Sequence, residues 1–466
     1  IVACIFTLGQ QAVLFDGALS ALADRVSASS LGDGLALAWG LHCRGEGCSA
    51  LAAGSDQPTS VAITELRPRA ELPWAAGRFT NTAIPRIVES RSVAEVEPLA
   101  DLDAAELAGG ELAAWVTVHF TTTPWKRLDK PASDGRREPL DAELGVTWCP
   151  SGSPCEPAAP LSLRARSRGG VDLAVAHDQA LLAWSAMDEG KARVFATLLG
   201  PKGQKLSQRM VTRRSEEVSD VAASPLGDGW VLAWVDERDG DPEVYAARLD
   251  SALRLQGQEL RVGKLPGDAM GVTLQETASG VVAAWAEEAD PSEPGLSSIY
   301  ATLLGGNLQS APTPWRLSHG QGRAFAPSLA VQGDHVVLAW VEDAPEGHTD
   351  QGGRLLVASL SQDGQLREAP AVLQLEPGEL PTNLALQCDA ARCRLLLSVT
   401  GAKGPRELAL TRDASGALSP PTPLTALAGP AARIPALVVT GVSAWLTDRV
   451  VWEKERVRRQ RLLWSR

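Results

Sequence analysis

The sequence predicts an all-β fold, a β-propeller of about eight four-stranded blades, with seven blades as the alternative. The first observation is a short apolar run that ends in Trp or an equivalent residue and recurs along the 466-residue chain. The second is the spacing of about 50 to 60 residues between these runs, once loop insertions in the first two units are allowed for, which is typical of propeller blades. The third is strand periodicity throughout, without a convincing long helix. The recurring runs are 35–39, 112–115, 181–184, 231–234, 281–285, 336–340, 395–399 and 450–452.

One unit is clearest between Val221 and Leu249. Two apolar runs flank a Gly-Asp-Gly turn, and a third run follows a loop rich in Asp and Gly. This pattern is typical of consecutive antiparallel strands joined by hairpins. Each unit therefore has an inner strand, such as 327–331, a second strand that ends in Trp, a third strand and an outer strand. The predicted third strands are 193–199, 244–249, 299–304, 355–360 and 407–411.

Residues 1–466 are predicted to form a single propeller domain that the N-terminal strand closes. The segment 10–15 resembles an outer strand, and the chain ends on a third strand, 458–464, that no fourth strand follows. Pairing these two segments removes the free edges that an open ring would leave. If Trp445 rather than Trp452 ends the last second strand, that blade is complete by itself and this closure is wrong. Two loop insertions, 67–84 and 120–142, interrupt the regular units.

Acidic side chains outnumber basic ones, with 56 Asp and Glu against 44 Lys and Arg and a net charge of −12. This surplus argues against the phosphate contacts that support nucleic-acid binding, so we expect no nucleic-acid partner. No apolar run approaches the roughly 20 residues that a transmembrane helix needs. We expect a soluble monomer once any leader has been removed.

Six of the seven cysteines fall in three close pairs, each of which brackets a turn-like segment. Opposed residues on antiparallel strands lie about 4.5–5.5 Å apart, which suits a disulfide. Zinc is the alternative, but the pairs belong to different units and lack His partners at ligand spacing, except His42. Disulfides indicate an oxidising compartment. The pairs are Cys43 with Cys48, Cys149 with Cys155, and Cys388 with Cys393.

The seventh cysteine, Cys4, follows Ile1-Val2-Ala3. These four residues resemble the lipobox of bacterial lipoproteins, in which a small residue precedes a cysteine that is diacylated and becomes the mature N-terminus. The resemblance implies a lipid anchor at Cys4, with residues 1–4 as the remnant of the lipobox. The alternative is a buried thiol beside an N-terminal strand.

The clearest unit also carries a spaced motif, Trp234-x-Asp236-x-Arg238-x-Gly240-x-x-x-Val244-Tyr245. It resembles the repeat of bacterial extracytoplasmic β-propellers of the TolB-like kind, in which Trp, Asp, Arg, Gly and an Ile/Val-Tyr pair recur. The full motif appears once, and the units around Trp184 and Trp285 keep part of it. The resemblance implies a propeller and a cell-envelope setting, but it implies no reaction.

Acidic residues recur in the loops after the Trp-terminated runs, and equivalent loops of a propeller converge on one face. Such a broken ring could hold Ca²⁺ through oxygen ligands, and Asp236, Asp239 and Asp241 are the best local cluster. The alternative is that the acids cap turns and pair with neighbours such as Arg238. The acids are Asp188, Glu189, Asp236, Glu237, Asp239, Asp241, Glu287, Glu288, Asp290, Glu342, Asp343, Glu453 and Glu455.

Recognisable catalytic patterns are scarce. The six histidines show no metal-binding spacing, and the sequence has no Gly-x-Ser-x-Gly elbow and no Gly-rich phosphate loop. Glycoside hydrolysis needs two carboxylates at a defined separation, and sequence cannot place any pair. We therefore expect no enzyme, and no cofactor apart from Ca²⁺.

The insertion 120–142 combines an aromatic residue with basic ones in a long polar loop, a composition typical of a binding loop. The alternative is a solvated loop whose Trp packs on the rim. We expect a non-catalytic binding scaffold for an envelope protein or a glycan, located in the periplasm, on the outer membrane as a lipoprotein, or secreted. The alternative is a carbohydrate-active hydrolase or lyase with a carboxylate pair at the channel mouth. The predicted contact residues are Trp125, Lys126, Arg127, Arg136 and Arg137.

Overall fold

The protein is described from a computed structural model. The described residues are 7–8, 11–18, 21–31, 34–43, 59–68, 85–96, 99–120, 139–150, 159–165, 171–188, 191–215, 218–263, 265, 267–288, 296–306, 308, 313–318, 322–343, 351–362, 364–388, 390–401, 406–423, 431–439, 442–452 and 456–465. Within them every regular element is a β-strand. In the same residues there is no helix of the length and apolarity that a membrane crossing requires.

The strands of the first half of the chain follow one another closely, and most contain six or more residues. They are β1 (Thr7–Leu8), β2 (Gln11–Ala18), β3 (Ala21–Leu31), β4 (Gly34–Cys43), β5 (Thr59–Pro68), β6 (Pro85–Val96), β7 (Leu99–Leu107), β8 (Gly110–Phe120), β9 (Pro139–Pro150), β10 (Ala159–Ala165), β11 (Val171–Ala176), β12 (Gln179–Asp188), β13 (Lys191–Leu199), β14 (Lys205–Met210), β15 (Val218–Leu226), β16 (Gly229–Asp236), β17 (Glu243–Leu249) and β18 (Leu260–Arg261).

The second half repeats the same order of elements, with short outer strands. Its strands are β19 (Ala269–Thr277), β20 (Gly280–Glu288), β21 (Ser297–Leu304), β22 (Trp315–Arg316), β23 (Ala324–Gln332), β24 (His335–Glu342), β25 (Arg354–Leu360), β26 (Ala371–Gln374), β27 (Leu380–Cys388), β28 (Arg392–Thr400), β29 (Arg406–Asp413), β30 (Thr422–Pro423), β31 (Ala431–Val439), β32 (Val442–Trp452) and β33 (Arg456–Ser465).

Consecutive strands form four-stranded antiparallel sheets, such as β11 to β14, β15 to β18, β19 to β22 and β23 to β26. The first strands of successive sheets lie side by side, since β11 contacts β15, β15 contacts β19 and β19 contacts β23. Sheets that share an inner layer and extend outward from it form a β-propeller. The predicted all-β propeller fold is therefore confirmed.

Antiparallel pairing brings three strand ends together at one end of each sheet, and these ends lie on the same side of the propeller. The second strand ends where the first and third strands begin, and these ends carry the buried tryptophans. We call this the Trp face, defined by Trp184, Trp234, Trp285 and Trp340. The opposite face carries the hairpin turns between first and second strands.

The second strands form the core because each one packs against a neighbouring sheet on both of its flat sides. All eight residues of β16 are buried, and Trp234, Trp285 and Trp340 expose 1% or less of their surface. Trp234 stacks on Tyr245, the residue directly opposite it on β17, with 6.4 Å between ring centroids, and Trp285 stacks likewise on Tyr300 at 6.2 Å. Each such pair contributes about 0.5–1.5 kcal/mol beyond its buried area. Trp234 and Trp285 therefore occupy equivalent environments, as their spacing predicted.

Three consecutive inner strands carry a β-bulge close to the Trp face. The register shifts between Ser219 and Ala222 in β15, and β19 and β23 shift at the matching places. Asp220, at φ 47°, lies inside the first bulge, and its Oδ2 accepts a hydrogen bond from the Gly271 amide of the next inner strand at 3.2 Å. Bulges of this kind redirect side chains at the end of a strand.

All five predicted third strands are confirmed, as β13, β17, β21, β25 and β29. Trp445 and Trp452 lie on the same strand, β32, so the two candidate ends of the last second strand belong to one element. Other predictions concern residues outside the described part of the chain, or residues whose backbone is described but whose side chains are not. These are Cys4, Cys43, Cys48, Trp125, Lys126, Arg127, Arg136, Arg137, Cys149 and Cys155.

Candidate active site

Three consecutive sheets place an acidic side chain at the same position on the Trp face. In each sheet the indole Nε1 of the buried tryptophan donates a hydrogen bond to a carboxylate two residues further along the second strand. The pairs are Trp234 with Asp236 at 3.3 Å, Trp285 with Glu287 at 2.8 Å, and Trp340 with Glu342 at 3.2 Å. The acids are 0%, 2% and 1% exposed, so each needs compensation for the loss of water.

Two of these three acids are compensated by an arginine. Asp236 pairs with Arg238 at 2.5 Å, and Glu342 pairs with Arg354, the residue directly opposite it on β25. Glu287 differs, because the residue opposite it on β21 is Ser298. Among the described residues Glu287 has no ion pair, and its Oε1 accepts no hydrogen bond of normal geometry.

The missing cation changes the proton affinity of Glu287. Burial raises the pKa of its carboxyl to about 8, and the negative charges of Glu243 and Asp268 add to the rise, while the Trp285 indole and the Gly267 amide act in the opposite direction. A carboxyl with a pKa near 8 holds its proton at neutral pH. Glu287 is therefore a buried, neutral carboxylic acid at neutral pH.

A second carboxylate lies beside this buried acid. Asp268 directly precedes Ala269, which pairs with Glu287 across β19 and β20, and its negative charge acts on the pKa of Glu287. Asp268 is partly exposed, and its carboxylate has no hydrogen-bond or ion-pair partner in the described residues. Glu243, the third acid here, is bound by Arg261 instead. A buried neutral acid and a partly exposed carboxylate that act on each other through charge form an arrangement in which two carboxyl groups can take different chemical roles.

The predicted Ca²⁺ site at Asp236, Asp239 and Asp241 stays a prediction, although two of these carboxylates have other partners. Asp236 is bound by Trp234 and Arg238, and Asp239 Oδ2 accepts the Tyr245 hydroxyl at 2.5 Å. Asp241 lies at the exposed edge of the loop. No group of three possible metal ligands occurs in the described part of the chain.

The spaced motif instead forms an ion-pair network that fixes the loop between β16 and β17. The Arg238 guanidinium lies 4.1 Å from the centre of the Tyr245 ring and also binds Glu259. The alternative that the acids pair with neighbours such as Arg238 therefore holds for Asp236. Burial, together with the bond to Asp239, raises the pKa of the Tyr245 hydroxyl.

Of the predicted cysteine pairs, Cys388 and Cys393 lie directly opposite each other on β27 and β28 and form a disulfide. It closes the hairpin turn on the face opposite the Trp face. The other two pairs lie outside the residues whose side chains are described.

Sequence reasoning placed Glu287 among many acids and overlooked Asp268. The one signal that separates Glu287 is Ser298, which stands where the next sheet has Arg354. Asp268 precedes an inner strand, whereas the sequence search covered only the loops after second strands.

No known protein-family model matches the chain, and no curated protein sequence matches it either. Solved structures do resemble it. A Mycobacterium tuberculosis puromycin-hydrolyzing peptidase is 14% identical, with a TM-score of 0.47 over 91% of this chain and 58% of that one, so the chain spans a little over half of its length. A Lactobacillus brevis α-L-arabinofuranosidase is 13% identical, with a TM-score of 0.33 over 56% of this chain and 94% of that one. A Bombyx mori GH32 β-fructofuranosidase is 11% identical, with a TM-score of 0.35 over 79% and 91%.

These comparisons correct the prediction of a non-catalytic binding scaffold. The peptidase, the arabinofuranosidase and the fructofuranosidase are all hydrolases by name. At such low identity a likeness concerns the fold alone. The case for a reaction must therefore come from the residues of this chain.

Proposed function

We propose that this protein is a carbohydrate-active hydrolase in which Glu287 is the general acid and Asp268 is the second carboxylate. The observation that carries the proposal is Glu287 itself, a buried acid that lacks the arginine its counterparts have. Its pKa of about 8 keeps it protonated at neutral pH beside a carboxylate that faces solvent. Glycoside hydrolysis uses one carboxylic acid to protonate the leaving oxygen and one carboxylate as nucleophile or base.

The division of roles follows from the surroundings of the two groups. Glu287 is held in place by the 2.8 Å bond from Trp285, so its proton has a fixed donor position. Asp268 is partly exposed and unpaired within the described residues, so it is available either to attack the anomeric carbon or to activate a water molecule. We assign the acid role to Glu287 and the nucleophile or base role to Asp268.

The proposal extends to the whole chain. We propose a single propeller of eight blades in which β2 completes the sheet of β31 to β33, which is supported by the strand order β1-β2-β33-β32-β31. An extracytoplasmic location with TolB-like repeats is supported by the Cys388–Cys393 disulfide and the motif from Trp234 to Tyr245. Lipidation of Cys4 and a glycan contact at Trp125 stay predictions.

The test is an activity screen against a panel of polysaccharides, followed by substitution of the two carboxylates. Glu287→Gln should lower kcat by about 10²–10⁴, the usual contribution of a general acid. It should spare dinitrophenyl glycosides, whose leaving group needs no proton. Asp268→Asn should abolish turnover of both kinds of substrate.

Glu288→Gln is the matched control, because it removes a neighbouring carboxylate from the same strand. It should leave kcat unchanged. The absence of hydrolysis across the panel, or full activity of Glu287→Gln on natural glycans, would refute the proposal.

A further inference from the structure

Arg323 on the Trp face differs from three other arginines there. Arg238, Arg261 and Arg354 each bind a buried acid. Arg323, which directly precedes β23, is exposed and makes no ion pair within the described residues. The chain has more acids than bases, and the Trp face is rich in carboxylates. An arginine on this face that has no ion-pair partner among these residues is free to bind an external anion.

The guanidinium of Arg323 is nevertheless positioned by contacts with uncharged side chains. It lies 5.8 Å from the centre of the Phe325 ring, and Nη2 lies 3.8 Å from the sulfur of Met270. The Arg323 carbonyl accepts a hydrogen bond from the Asp343 amide at 2.9 Å, which fixes the backbone, while the Asp343 carboxylate acts on the guanidinium only through its charge. Contacts to the Phe325 ring and the Met270 thioether restrict the side chain but leave most of its five N–H donors without a partner among the described residues.

Arg323 also contacts the strands that carry the proposed active site. Its backbone bridges to Ser297, and Ser297 pairs with Glu288, the residue after Glu287. Its side chain reaches Met270, two residues after Asp268. Arg323 therefore lies near the strand ends that carry the two carboxylates.

We infer that Arg323 binds a carboxylate of the substrate, so that the protein acts on acidic glycans built from uronate or similar sugars. The inference rests on the proposed function, since it names the substrate class of the same site. The planar guanidinium fork matches a carboxylate with two parallel hydrogen bonds, a geometry that a neutral hydroxymethyl group cannot reproduce. Phe325 and Met270 supply an apolar surface against which a sugar ring can pack.

The experiment measures binding by calorimetry, using Glu287→Gln protein so that no substrate is consumed. The probes are trisaccharides of glucuronate, galacturonate and mannuronate, each with its neutral counterpart that carries a hydroxymethyl group. At least one acidic probe should bind about 10- to 100-fold more tightly than its neutral counterpart, as expected for a charge-assisted bond.

Adding Arg323→Gln should remove that preference, and Arg323→Lys should restore only part of it because a lysine cannot form the two parallel bonds. The matched control is Arg254→Gln, an exposed arginine in the turn after β17, on the opposite face. It should leave the preference unchanged.

Equal binding of acidic and neutral probes, no binding of any acidic probe, or an acidic preference that survives Arg323→Gln would each overturn the inference. The two proposals fail separately. If neutral glycans are hydrolysed through Glu287 while acidic probes do not bind, the substrate class is wrong and the hydrolase stands. If acidic probes bind through Arg323 but no glycan is cleaved, the hydrolase is wrong and the carboxylate site stands.

Discussion

Replacing Glu287 with glutamine should stabilise the protein at alkaline pH. Glutamine keeps the size and the hydrogen-bond acceptor of the side chain but carries no proton to lose. A glutamate carboxyl in water has a pKa of 4.5, whereas the Glu287 carboxyl has a pKa of about 8 in the folded protein. The folded state thus binds the proton more tightly than the unfolded state does, and stability falls as the pH rises between these two values.

The size of the effect follows from the two pKa values. At 1.36 kcal/mol for each pH unit, the full loss is about 5 kcal/mol, and about 4 kcal/mol of it falls between pH 5 and pH 9. Below the unfolded pKa the contribution is fully present, and above about pH 8 it is gone. The free energy of unfolding of Glu287→Gln, relative to that of the wild type, should therefore rise by up to about 4 kcal/mol from pH 5 to pH 9.

The assay is urea denaturation at a series of pH values, comparing the midpoints of the wild type, Glu287→Gln and Glu288→Gln. Other groups also titrate over this range, but they are common to all three proteins and cancel in the differences. The difference in urea midpoint between the wild type and Glu287→Gln should grow as the pH rises. The difference in midpoint between the wild type and Glu288→Gln should not change with pH. A wild-type and Glu287→Gln difference that does not change with pH would show that Glu287 is charged in the folded protein, and the general-acid assignment would fail with it.

Three further predictions concern other contacts. Arg354→Met should destabilise the protein by about 3 kcal/mol, since it leaves buried Glu342 without its cation; calorimetric melting measures this, and an unchanged Tm would contradict it. Gly267→Ala should destabilise the protein by about 2–3 kcal/mol and reduce glycan hydrolysis, because a Cβ there would lie 1.8 Å from the Glu288 carbonyl oxygen. The control is Gly305→Ala, whose Cβ meets no atom within 4 Å, and it should be neutral or slightly stabilising in the same melts. Replacing both Cys388 and Cys393 with alanine should cost about 2 kcal/mol on the chain-entropy model, and unfolding that is insensitive to the change would argue against a stabilising role.

The repeat pattern was sufficient to predict the sheets, because a run such as Val231 to Trp234 can be buried only between neighbouring strands of the same kind. All four residues are less than 3% exposed. Periodicity and turn chemistry therefore determined the strand order and the third strands. The loop around Trp125 lies beyond the described residues, so that part of the sequence interpretation stays a prediction.

The site could not be predicted from the sequence, because it depends on which acid lacks a cation. Asp236 and Glu287 look alike among the acids of the chain, and only the pairing register shows that Ser298 faces Glu287 while Arg354 faces Glu342. Asp268 comes close to Glu287 through the pairing of Ala269, a contact between strands that spacing along the chain does not reveal. The sequence also left open whether Asp236 pairs with Arg238 or binds Ca²⁺, and the structure shows the ion pair.

The tryptophan-bound acid recurs in three consecutive sheets, and a neighbouring arginine decides whether the position holds an ion pair or a proton. A single substitution of such an arginine would change the protonation of the buried acid, while the neighbouring sheets keep their own ion pairs. Tandem duplication of this unit therefore supplies spare copies on which new chemistry can arise without loss of the parent fold. The difference between Glu342 and Glu287 is what one such step would leave behind.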